Sequence, residues 1–449
     1  MRRRSLLSLL VVALLAAACT QSELGFDADG PVRPAPDVPE GDVLTDPDEV
    51  ADAALADLEA YWADALPDVY GVPFEPLAGG YVPYGPDAPL PACGPEPLRY
   101  DQIAENALYC PAEDLIAWDR VNLTPDLQQR FGSLTVGLVM AHEFAHAVQA
   151  RAGVRGTTVT LELQADCFAG AWVDDVDDRI ATFHTGADAL DSAVAGLLEL
   201  RDAIGVAGYD ANAHGSGFDR VSAFQQGFED GPEACATYQD DPPAVVAIPF
   251  GSANDAASGG NLPLDELFDP LVADLESFYA ALFDDLGETW DPVGGFDAVD
   301  PADGAVECGD EEIEPDELEL AAFYCVADDT AYMDGDELIP ALFEIGDFAF
   351  GGELARIYAY AAQEQLDVDP AGDVAAGLHA DCLTGVFASA AFLERVPEQR
   401  LWLSPGDLDE IIIAFLAFGG EEGATAFERT AAFRAGFVEG VAPCDDLLG

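Results

Sequence analysis

The sequence predicts an α+β protein, mainly helical, made of two homologous domains in tandem. Each domain is expected to carry a pair of long helices and two disulfides. Three observations predict this. Apolar residues recur with helical period over 49–66, 134–151, 161–177, 188–204 and 218–230. Residues 70–125 are richer in Pro, Gly and aromatics, and suit short strands and loops. The second half of the chain then follows the same plan.

The repeat is legible in particular residues. Cys93-Gly94, Tyr109-Cys110 and Ala165-Asp166-Cys167 recur as Cys308-Gly309, Tyr324-Cys325 and Ala380-Asp381-Cys382, each at an offset of 215. Near the end of each half, Phe218, Arg220, Phe224, Gly227, Phe228, Gly231 and Cys235 find identical partners. These are Phe427, Arg429, Phe433, Gly436, Phe437, Gly440 and Cys444. Pro-, Gly- and Asp-rich stretches at 19–48 and 239–263 read as linkers. The expected boundaries are therefore 49–238 for the first domain and 264–449 for the second.

Of the nine cysteines, eight pair off between the halves and Cys19 stands alone. Bridges within each half are expected: Cys93–Cys110 with Cys167–Cys235, and Cys308–Cys325 with Cys382–Cys444. Other connectivities are formally open. Cysteines in such even sets suit an oxidising compartment. The N-terminus agrees. "MRRR" followed by "LLSLLVVALLAAA" reads as a signal peptide over 1–18. Ala16-Ala17-Ala18 before Cys19 resembles a bacterial lipobox, although Ala16 stands where leucine is usual. Ala-x-Ala also suits an ordinary signal peptidase. Lipidation of Cys19 would tether the protein to the outer face of a bacterial membrane; without it the protein is secreted.

Composition narrows the partners. The formal charge is −69, from 86 acidic against 17 basic residues, and every basic residue is an arginine. Such a polyanion repels nucleic acid and anionic lipid. It reads as a solvated acidic shell suited to salty surroundings.

The chemistry concentrates in "AHEFAHAVQ" at 141–149. His142 and His146 are one helical turn apart and share a face. Two imidazoles at that spacing can chelate one Zn²⁺, with Glu143 beside them as a general base. Ser133 or Thr135 can cap the start of this helix and Gly153 marks its end. In "LELQADCFAGAW" at 161–172, Glu162 can supply a third ligand and Asp166 can hold the far nitrogen of His142. His214, in "HGSG", is a candidate oxyanion donor; the competing reading is a structural histidine capping the next helix. His184 reads as a surface residue.

"HEFAHAVQ", "LELQADCFAG" and "HGSGFDRVSAFQQGF…AC", in that order, resemble the neutral zinc metallopeptidase family of bacteria over about residues 50–238. The resemblance implies a zincin-like fold and one zinc held by His142, His146 and Glu162. It implies Glu143 as catalytic base and a peptide or protein substrate. Ala145 departs from the family, which usually has glycine there.

The second half keeps the frame and loses the chemistry. His142 aligns with Arg356, Glu143 with Ile357, His146 with Tyr360 and Glu162 with Gly377. His379 replaces Gln164, and Gly423 falls opposite His214. Asp381 persists, and is expected to pair with Arg356 as Asp166 pairs with His142. The second domain is thus expected to be catalytically dead, and to pack on the first, shape a cleft or bind an envelope partner. The rival readings are a non-catalytic envelope scaffold with structural zinc, and a zinc amidase acting on cell-wall peptides.

Overall fold

The computed structural model describes residues 43–95, 98–177, 179–202, 204, 214–418 and 423–448. All belong to one compact unit, 33–449. The signal peptide, Cys19 and the linker up to residue 42 lie outside the described residues.

The first long helix, α1 (Pro47–Tyr70), begins where Asp46 accepts hydrogen bonds from the amides of Asp48 and Glu49. A three-stranded sheet follows, of β1 (Gly80–Tyr84), β2 (Ala107–Cys110) and β3 (Leu115–Asp119), with a single turn, α2 (Tyr100–Ile103), before β2. The strand order is β1-β3-β2, β1 pairing parallel and β2 antiparallel to the central strand. Every residue of β3, Leu-Ile-Ala-Trp-Asp, is buried, as a central strand covered on both faces must be.

After α3 (Leu123–Phe131) come the two helices that carry the motifs, α4 (Ser133–Ala152) and α5 (Thr158–Val176). Gly153 ends α4 in the left-handed region, with φ 71. Neither expected side chain caps its start. The N-cap is Gly132, Ser133 already lies in the first turn, and Thr135 turns its hydroxyl back to the carbonyl of Phe131. The half closes with α6 (Ala187–Glu199), α7 (Gly217–Asp230) and α8 (Pro232–Ala236). Helix α6 stops at Glu199, short of the expected 204, where the Leu200 amide folds back onto the Gly196 carbonyl.

The 239–263 segment contains a short helix, α9 (Ala253–Ser258), capped by Ser252. Then α10 (Leu264–Leu286) precedes strands β4 (Gly295–Val299), β5 (Val306–Cys308), β6 (Glu311–Ile313), β7 (Ala322–Cys325) and β8 (Thr330–Asp334). A single turn, α11 (Pro315–Leu318), separates β6 from β7. The sheet order β4-β8-β7, parallel then antiparallel, is that of the first sheet; β5 and β6 form a separate ribbon. Five helices complete the chain: α12 (Leu338–Ile345), α13 (Asp347–Gln365), α14 (Asp373–Phe392), α15 (Asp407–Phe418) and α16 (Ala426–Glu439).

Four disulfides join Cys93–Cys110, Cys167–Cys235, Cys308–Cys325 and Cys382–Cys444. Their sequence separations are 17, 68, 17 and 62. By loop-closure entropy, each short bridge stabilises by about 3 kcal/mol and each long one by about 4 kcal/mol. Helices α5 and α7 approach so closely that a Cβ on Gly227 would strike the carbonyl of Cys167. Gly436 and Cys382 meet in the same way between α14 and α16.

The halves meet through α7 and α16, in matched contacts. Phe218 lies 6.1 Å from Phe433 and 4.9 Å from Phe437; Phe427 lies 6.2 Å from Phe224 and 5.1 Å from Phe228. Each helix is also capped from the opposite half. Asp409 of α15 accepts from the amides of Gly217 and Phe218, while Asp191 of α6 accepts from those of Ala426 and Phe427. One hydrophobic core consequently runs across both halves, including Phe144, Phe218, Phe224, Phe427 and Phe433.

Candidate metal centre

Helices α4 and α5 lie side by side and bring three donors together: His142 and His146 from the first, Glu162 from the second. The Nε2 atoms of His142 and His146 are 3.1 and 3.6 Å from Glu162 Oε2. Ligands about 2.0–2.1 Å from a tetrahedral ion are separated from one another by roughly 3.3 Å. The donor set therefore fits zinc in both chemistry and spacing.

The far nitrogens fix which ring nitrogen faces the centre. His142 Nδ1–H donates to Asp166 Oδ1 at 2.7 Å, and His146 Nδ1–H donates to Gln149 Oε1 at 2.9 Å. With those protons on Nδ1, both rings turn Nε2 inward, where each can ligate an ion once it carries no proton. Gln149 is itself held, its amide donating to the Leu161 carbonyl at 2.7 Å and to Gln164 Oε1 at 3.1 Å. Asp166 is fully buried and also receives Arg220 bidentately, at 2.8 Å to each oxygen.

Electrostatics agree with a site built for positive charge. Burial opposes ionisation of Glu162, but the two imidazoles hold its carboxyl well below the usual range. Burial also pulls His142 down; the carboxylates of Asp166 and Glu162 outweigh that and push it up to about 10. Arg220 and His142 likewise hold Asp166 below its ordinary value, against burial.

Glu143 is half-buried beside this group, and its Oε2 accepts the backbone amide of Tyr109 on β2 at 2.6 Å. That bond ties the edge strand of the sheet to the motif helix. The residues line a cleft of about 760 Å³, with Ala107, Leu108 and Tyr109 along one wall and Arg155 and Arg220 among its borders. His214 reaches the rim of the same cleft, half exposed, with Nδ1 3.0 Å from Asp202 Oδ1. Its backbone amide bonds the same carboxylate, so His214 does not itself cap α7; Ser216 does. His184 lies away on the surface against Asp177. Ala145 is fully buried in the core below the motif.

In the second half the corresponding place is filled by protein. Arg356 Nε lies 2.9 Å from Asp381 Oδ1, and its guanidinium donates to the Tyr360 hydroxyl at 2.9 Å. Both stand over Gly377, where a Cβ would meet them at 3.3 and 3.6 Å. Gln363 donates to the Ala376 carbonyl and to His379 Nδ1, as Gln149 does to Leu161 and Gln164.

Residues 92–238 match the family described as "Putative neutral zinc metallopeptidase". The chain is also similar to the uncharacterized protein YpfJ of Escherichia coli strain K12. The two are 32% identical over 154 residues, covering 29% of this chain and 53% of that protein. YpfJ of E. coli O6:H1 strain CFT073 matches to the same extent. The chain thus spans about half the length of the curated relatives it matches. No solved structure matches it.

Proposed function

We propose that this protein is an exported zinc-dependent metallopeptidase with one working half, 49–238, and one catalytically silent half, 264–449. A single observation carries the reading: His142, His146 and Glu162 converge at ligand spacing with Glu143 beside them in an open cleft. His142, His146 and Glu162 would hold one zinc ion. Bound there, zinc supplies Lewis acidity to a peptide carbonyl and lowers the pKa of water.

The remaining roles belong to the chain. Glu143 accepts a proton from the attacking water and returns it to the departing amine. The Tyr109 amide fixes one oxygen of that carboxylate and leaves the other to face the cleft. Asp166 and Gln149 hold the histidine tautomers, and Arg220 keeps Asp166 ionised. His214, oriented by Asp202, is placed to donate to the developing oxyanion from the rim.

Tandem duplication accounts for the silent half. The matched sheet orders, the four bridges in two sets and the reciprocal capping by Asp409 and Asp191 support it. Contacts of α7 with α16 repeat under exchange of the halves, as in an isologous dimer fused into one chain. The bridges also favour an oxidising compartment, consistent with an envelope location and a lipid on Cys19.

The test is Glu143→Gln in the full chain. Metal analysis should still find one zinc per chain, while cleavage of an unfolded protein substrate disappears. Undiminished cleavage would remove Glu143 from its role. Absence of cleavage by the zinc-loaded wild type would favour a structural centre.

A further inference from the structure

The start of α13 gathers carboxylates that no basic side chain among the described residues answers. Asp347 opens this helix; Asp407 and Glu410 come from the first turn of α15. One oxygen from each lies within 4.8 Å of the others, and the three residues are only 4–5% exposed. Asp347 and Asp407 each give one oxygen to a backbone amide outside the group, those of Leu262 at 2.8 Å and Ser404 at 2.7 Å. Each keeps its other oxygen buried, without a hydrogen-bond partner among the described residues. Glu410 accepts from the Phe348 amide at 2.9 Å.

Among the described residues, no arginine forms an ion pair with any of the three. Arg201 pairs instead with Asp409, the neighbour of Glu410, at 3.1 Å. A fourth carboxylate, Asp255, borders the group through the Ser404 hydroxyl at 3.2 Å. Burying one unanswered carboxylate is costly, and burying three within contact of each other compounds that cost. Two orphan oxygens in such a place are acceptors waiting for positive charge.

We propose that Asp347, Asp407 and Glu410 bind a divalent cation of the calcium type. The donors are all hard carboxylate oxygens, with no nitrogen or sulfur, which selects calcium or magnesium over zinc. Three carboxylates of irregular disposition suit the flexible calcium shell better than the strict magnesium octahedron. The site would join three segments: Leu262 at the end of the 239–263 stretch, α13 and α15. Through α15 it reaches the interface between halves, because Asp409, next to Glu410, caps α7. At the matching start of α4 stands Ser133, so the cation belongs to the silent half alone. That half would then act as a calcium-dependent brace for the working one.

The experiment uses the full mature chain, loaded with zinc, stripped of other metals and held at high sodium chloride to suppress surface binding. After dialysis against calcium, elemental analysis should find one more calcium per chain in the wild type than in Asp407→Asn. The wild-type thermal midpoint should rise with calcium, and that of D407N should not. The same calcium content and the same response in both would overturn the proposal. Should D407N fail to fold, E410Q serves in its place. If that also fails, the wild type decides alone: a midpoint unmoved by millimolar calcium overturns the site. A rise only on acidification would assign the group to shared protons instead.

Discussion

Arg356 stands against Asp381 at 2.9 Å, in the frame where His142 stands against Asp166 at 2.7 Å. The buried carboxylate is common to both halves, and so is the arginine behind it, Arg429 for Asp381 and Arg220 for Asp166. What differs is the group set against that carboxylate. An imidazole presents a lone pair there; a guanidinium presents only donors and a charge. The second half thus sets a guanidinium where the first sets an imidazole, and keeps its carboxylate paired.

Arg429 should matter more to stability than Arg356. Arg429 holds Asp381 through two hydrogen bonds, at 3.0 and 3.1 Å, and is buried. Arg356 is half-buried and makes a single ion-pair contact with the same carboxylate. Removing a buried partner typically costs about 3–5 kcal/mol, and a partly exposed one less. Denaturant unfolding of R429M and R356M should rank them in that order. The reverse ranking would mean that Arg356 carries Asp381. Arg356→His should add no zinc to the chain, because Gly377 offers no carboxylate.

In the proposed zinc site Asp166, which holds His142 Nδ1, should control metal affinity without touching the metal. Replacing it with Asn should weaken zinc binding about 10–100-fold, read by competition with a chromophoric chelator. The matching change in the second half, Asp381→Asn, should disturb stability and leave zinc affinity unchanged. Equal effects on zinc would show that D166N acts through general loosening of the fold.

Gly227 should resist any side chain. Alanine there would press its Cβ into the carbonyl of Cys167, whose disulfide ties α5 to Cys235 on α8, directly after α7. The bridge limits how far α5 and α7 can separate, so the strain cannot relax by sliding. A loss of about 1–3 kcal/mol or more is expected for G227A, and a similar loss for G436A. A neutral result would place the helices farther apart than described.

Much of this was legible in the sequence because it depends on local spacing. One helical turn fixes His142 beside His146, and the repeat of cysteines points to bridges within each half. Glu162 could be proposed from its helix, yet only packing of α5 on α4 brings it to the imidazoles. Arg220 is visible as an identity with Arg429, but identity alone does not say what a side chain holds. The Tyr109 amide leaves no mark in the sequence, since any residue but proline supplies one. The expected caps Ser133 and Thr135 failed because Gly132 turns the chain so that Ser133 is already helical. The reciprocal caps Asp409 and Asp191 lie about 190 and 235 residues from the amides they hold, beyond any local rule.

Asp219 should give the protein a measurable stability slope in mildly acidic solution. It is buried at the start of α7, where its oxygens accept from the Val246 amide and the Ser216 hydroxyl. Burial, with Asp409 nearby, pushes its carboxyl up to about 6 in spite of those bonds. An unfolded aspartate titrates near about 3.9, so the folded state holds the proton more tightly. Folding is therefore favoured below pH 4, and that contribution is lost as pH rises towards about 6. Asn keeps an acceptor for Val246 and carries no charge. D219N should therefore be more stable than wild type at pH 7, by up to about 3 kcal/mol, with the gap closing below about pH 4. Thermal midpoints of the two proteins from pH 4 to 8 decide it: parallel curves would mean that Asp219 ionises as an ordinary carboxylate.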